Sequence, residues 1–175
     1  MEIKSQNFIK NYVLEKFIDF RLFFIRQSTV LTDFFENIQR VKKILVILPV
    51  DRAEEIMSRE YLPEIKHVFG NAKVETLDPA TFRKIDTNWL GVPNQKYIAH
   101  IQNQKFDFCL DLNSHHESIC AYLCARSEVP MRLHISEGRF EKIYNLHFRV
   151  SAEASLRTRY QNFLTYIGRM RQKPL

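Results

Sequence analysis

The chain has 175 residues, 45% apolar and 26% charged, an ordinary globular mixture that excludes wholesale disorder and is long enough to bury a real core. Its formal net charge of +6 favours anionic partners such as phosphorylated sugars, acidic lipid head groups or nucleic acid, without choosing among them. The four glycines, Gly70, Gly91, Gly138 and Gly168, stand alone. There is no GxGxxG turn and no phosphate-loop motif, so a conventional NAD enzyme and a P-loop NTPase are both excluded and no cofactor is expected.

Residues from about 5 to 40 read as helical, in two pieces if the chain breaks near Gln27–Thr29. Ile9, Val13, Phe17, Phe20 and Phe24 recur at helical spacing, and Leu31, Phe34, Phe35 and Ile38 repeat the pattern. Ser28 or Thr32 would cap the second piece. Lys10, Glu15, Lys16, Asp19 and Arg21 interrupt the apolar stretches, so none reaches the roughly 18 uncharged residues of a membrane span. We treat residues 1–40 as an amphipathic helical extension and 41–175 as the α/β domain. Three fates are open to the extension: packing on its own domain, docking a partner, or lying on a membrane surface with Lys10, Lys16, Arg21 and Arg26 towards lipid phosphates.

Lys43–Leu48 (KILVIL) is a continuous aliphatic run stopped by Pro49, the mark of a strand buried on both faces. Asp51 is placed to cap one helix reaching about Phe69, which Gly70-Asn71 ends. Ala72–Leu77 is a second strand, and Asp78-Pro79 opens a short helix. Residues 84–94 read as loop and Gln95–Gln104 as helix. The strand Phe106–Leu112 (FDFCLDL) leads through the polar turn Asn113-Ser114 into a helix from about His115 to Arg126. Met131–Ile135 and Leu146–Val150 are further strands. The last helix, Ala152–Arg171, carries Leu156, Tyr160, Phe163, Leu164 and Ile167 on one face. Strands alternating with helices predict a mostly parallel, Rossmann-like sheet covered on both faces.

Cys109, Cys120 and Cys124 make no secreted disulfide framework, and without a signal-peptide pattern the expected location is the cytoplasm, at most peripheral to the inner membrane. His116, Cys120 and Cys124 would rise about 12 Å along one straight helix, too far for a single ion. The cysteines therefore read as core residues, and no metal is expected. Asp51, Glu54 and Glu55 fall at the carboxyl end of the first strand, where α/β sheets bind ligands. There they would either remove a proton from a sugar hydroxyl or simply complement a helix dipole. Asn113, Ser114, His115 and His116 fall at the same rim, as ligands for a phosphate or sugar or as a turn and cap.

The segment 43–77, KILVILPVDRAEEIMSREYLPEIKHVFGNAKVETL, resembles the opening βαβ unit of glycosyltransferase family 9, the bacterial lipopolysaccharide heptosyltransferases. KFDFCLDLNSHHES (105–118) is similar to that family's strand ending in Asp-Leu-Gln-Gly, and RTRYQNFLTYIG (157–168) to its helix after an Arg-Tyr pair. The resemblance implies the acceptor-side half of a two-lobed GT-B fold, with the nucleotide-sugar lobe absent from this chain. It puts the family's catalytic base, the aspartate of a Gly-Asp pair, at Ala53-Glu54, and ligand-binding positions at Asp51, Arg52, Asn113, Ser114 and His115. A glutamate carboxylate lies one methylene further out, and a misplacement of about 1 Å costs on the order of 10²-fold in rate. The expectation is a stand-alone, non-catalytic binding module with a degenerate active site. The alternative is the acceptor-binding half of a split or oligomeric transferase, moving a sugar from a nucleotide sugar to a lipopolysaccharide-type acceptor. A partner protein or a second copy is expected, with an anionic ligand (a phosphorylated sugar or lipid) as a candidate. Nucleic acid is disfavoured, because only Tyr160 and Tyr166 stand ready to stack beside the C-terminal arginines.

Overall fold

The computed structural model describes residues 2–23, 34–82, 85–89, 91–136, 143–148, 151 and 153–172. Five strands, β1 (Lys43–Ile47), β2 (Lys73–Leu77), β3 (Phe108–Asp111), β4 (Met131–His134) and β5 (Leu146–His147), lie in the order β2-β1-β3-β4-β5. Every pairing is parallel, as expected. The aliphatic run explains why β1 is an interior strand. Ile44, Val46 and Leu48 enter one core and Leu45 and Ile47 the other, so both faces of the strand are buried.

One layer is made by α2 (Phe34–Gln39), α3 (Arg52–Glu60), α4 (Leu62–Phe69) and α7 (Leu156–Gln172), around Phe69, Phe108, Tyr160 and Phe163. The other is made by α1 (Glu2–Phe23), α5 (Gln95–Asn103) and α6 (Ser118–Arg126), around Ile18, Ile98, Cys120 and Leu123. Of the three fates of the N-terminal segment, packing on its own domain is visible: Ile18 and Leu22 are buried, while Tyr12, Phe20 and Phe23 on the far side are exposed. No described helix is long and apolar enough to cross a membrane.

Among the boundaries that differ from the sequence reading, three concern helices of the α/β domain. The helix expected over Asp51–Phe69 is two helices, broken at Tyr61. Pro63 lacks the N–H that would bond to Arg59, and its ring crowds that carbonyl. Helix α6 begins at Ser118 rather than His115, because residues 113–114 are drawn sideways into the rim described below. His116 therefore precedes the helix that carries Cys120 and Cys124. Helix α7 begins at Leu156 rather than Ala152, with Ser155 Oγ accepting from Thr158 N at 3.1 Å. The break expected near Gln27–Thr29, its caps Ser28 and Thr32, and the end of the last strand at 149–150 lie outside the described residues.

The three cysteines are fully buried. Burial pushes the Cys120 and Cys124 thiols well above their ordinary value, which makes them inert packing residues. Arg171, in the last turn of α7, is structural as well. Arg171 donates to the Phe69 carbonyl at 3.0 Å and to that of Ile38, tying α7 to α4 and α2.

Candidate functional site at the switch point

In the order β2-β1-β3-β4-β5 the chain leaves β1 in one direction and later passes back over it to reach β3. Between the carboxyl ends of these two strands the connections diverge, opening the crevice where doubly wound sheets bind ligands. Its walls are Leu48–Asp51 after β1 and Leu112–His115 after β3. Pairing of Ile47 with Asp111 and of Asp111 with His134 brings the three strand ends level.

Asp51 is the N-cap of α3, in extended conformation, accepting from Ala53 N at 2.9 Å and Glu54 N at 3.0 Å. Arg52 reaches out of the first turn with its side chain 79% exposed and donates to Glu55 at 2.6 Å. Glu55 is buried and also paired with Arg59, which in turn meets Asp78 at 3.1 Å, so it is the centre of a structural ion-pair cluster.

Glu54 spans the crevice. One carboxylate oxygen accepts from Ser114 N at 3.1 Å and the other from Ser114 Oγ. Alongside, Asn113 is buried and its Oδ1 accepts from Val50 N at 3.0 Å. Two strand ends are thus laced together by side chains some sixty residues apart in sequence.

Behind this lacing lies a buried network. Asp111, the last residue of β3, accepts from Asn113 N at 3.1 Å, from Asn113 Nδ2 at 2.6 Å and from the Tyr144 hydroxyl. The Tyr144 ring stacks on His134 with centroids 5.0 Å apart. His134 Nδ1 donates to the Ser136 carbonyl at 2.6 Å, and Arg159 donates to Ser136 Oγ at 2.9 Å. Burial, and then the charge of Asp111, push the Tyr144 phenol well above its ordinary value, so it stays a hydrogen-bond donor. Tyr144, His134 and Ser136 carry no signal in the sequence that marks them as members of this rim.

Of the residues singled out from the sequence, Glu54 and Ser114 meet directly, and Asn113 joins the same strand ends. Asp51 is a helix cap, Arg52 is engaged with Glu55, and His115 is exposed on the rim next to Glu117. Among the described residues no group of His, Cys, Asp or Glu is arranged to hold a metal ion.

A parallel, doubly wound α/β layer with a polar crevice at its switch point defines a Rossmann-like domain. The chain belongs to the family described as Family of unknown function (DUF6913), whose model matches residues 10–168, from within α1 to within α7. No curated protein and no solved structure matches it.

Proposed function

We propose that this chain is a non-catalytic binding module, built on a Rossmann-like domain akin to the acceptor-side half of a GT-B transferase of family 9. The observation that supports this is the state of Glu54. A general base must come within about 2.6–3.2 Å of the proton it removes. Here both carboxylate oxygens are engaged by Ser114 across the crevice. The residue at the base position thus acts as a structural tie, and what remains is a surface for recognition. The exposed Arg52 guanidinium and His115 imidazole suit an anionic ligand, a phosphorylated sugar or lipid head group, or an acidic patch on a partner protein or second copy. The reading assigns the chain to the cytoplasm. Exposed Tyr12, Phe20 and Phe23 on α1 are what an inner-membrane surface would meet.

A second reading, the acceptor-binding half of a split transferase, is favoured by one feature: Glu54 stands in the first turn of α3 on the carboxyl rim, where the resemblance puts the base. Incubation with nucleotide sugars and a lipopolysaccharide-type acceptor, alone and with a neighbouring gene product, separates the two. The binding module turns over no donor, and Glu54→Gln costs it about 1 kcal/mol of stability through the weakened bonds to Ser114. Donor turnover that vanishes in Glu54→Gln overturns the binding reading in favour of the second.

A further inference from the structure

A cavity of about 430 Å³ opens beside the crevice, and α1 is its roof. Leu14, Glu15 and Ile18 of α1 form one side. Val50 at the end of β1 and residues 116–119 at the start of α6 form the other. The hold of α1 on this seam is apolar, through Ile18 and Leu22 packed in one cluster with Cys120 and Leu123. A polar contact accompanies it. Ser118 Oγ reaches Asp19 at 3.5 Å, the outer limit of a hydrogen bond.

Most of the charges around the seam are acidic. Glu15 and Asp19 come from α1, Glu117 is the N-cap of α6, Asp111 ends β3 and Glu54 begins α3. His115 is the basic group that acts on Glu117 against them, and His116 lines the cavity. The cations of α1 in this stretch lie over rings of their own helix: Lys16 over Tyr12 and Arg21 over Phe17. Glu117 makes no side-chain cap bond to α6 that would reward its charge. Burial first, then Asp111 and Glu54, hold its carboxyl above the ordinary glutamate value.

We propose that α1 is an acid-seated lid over the switch-point cavity, closed when Glu117 is protonated and loosened when it ionises beneath α1 and opposite Glu15, which lines the same cavity. As control of ligand entry this rests on the binding-module reading; the motion of α1 itself does not, and it can be measured without a ligand. A carboxyl raised in the seated state contributes seating stability that is complete below the ordinary glutamate value. That contribution is lost as pH rises through the raised one.

Amide hydrogen exchange of the full chain, corrected for intrinsic rates and followed between about pH 4.5 and 7.5, tests this around the ordinary glutamate value and above it. Opening of residues 12–23 is expected to rise with pH by about tenfold for each unit by which seating raises the Glu117 pKa, while α7 stays constant. In Glu117→Gln the α1 rise disappears. Should that variant fail to fold, Glu15→Gln removes one like charge from the exposed side of the seam and shrinks the rise. A pH-independent α1 in the native chain, or a rise that survives unchanged in the variants, overturns the proposal.

Discussion

Asp111→Leu is expected to destabilise the fold by about 3–5 kcal/mol, read as a lower urea midpoint at unchanged m-value. Asp111 is fully buried and accepts from three donors: the backbone and side-chain amides of Asn113, and the Tyr144 hydroxyl. Leucine fills a similar volume but leaves those donors facing hydrocarbon, and each buried unsatisfied group costs about 1–3 kcal/mol. The damage reaches the crevice, because the same Asn113 side chain holds Val50 N. Asp111→Asn is the informative control. Its amide oxygen still accepts from Asn113, and the Tyr144 hydroxyl can rotate to accept from the new NH₂, so the loss falls to about 1 kcal/mol. If leucine and asparagine cost the same, the network is not what holds the strand end.

The contrast between those substitutions shows which parts of the molecule were legible in the sequence. The run ILVIL (44–48) had to lie in an interior strand, since residues apolar at every position need burial on both faces, and β1 pairs on both edges. The turn residues Asn113 and Ser114 and the cap Asp51 were legible too, each having a local conformational reason to be where it is. Their mutual contacts were not. Glu54 to Ser114 and Asn113 to Val50 close over 60 and 63 residues, a distance no spacing rule encodes. The same limit hid the late start of α6, which follows from the pull of Asn113 and Ser114 towards β1. His134 and Arg132 are polar residues within the strand expected over Met131–Ile135. Both are buried, because residues that follow β4 supply their partners: the Ser136 carbonyl for His134 and the Ile143 carbonyl for Arg132. Nothing local to Glu117 sets its character, which comes from burial first and then from Asp111 and Glu54 arriving from other elements.

Tyr160 carries the other large expected effect. It is 1% exposed, packs against Tyr61 with ring centroids 5.0 Å apart, and its hydroxyl donates to the Leu112 carbonyl at 2.7 Å. Burial pushes its phenol far above the ordinary value, so that proton stays in place throughout the accessible pH range. Tyr160→Ala is expected to cost about 3–5 kcal/mol, the transfer and cavity terms of a large buried ring. Tyr160→Phe keeps the ring and orphans one carbonyl, for about 1 kcal/mol. The two should differ in kind as well as size. Leu112 immediately precedes the Asn113-Ser114 turn, so freeing its carbonyl loosens the wall that Glu54 and Val50 hold from the other side. Tyr160→Phe should therefore raise amide exchange at Ser114 several-fold while the helix packing around Phe163 stays protected, whereas Tyr160→Ala should weaken both. Exchange at Ser114 that ignores the loss of the hydroxyl would mean that Tyr160 packs α7 on the sheet without steadying the crevice.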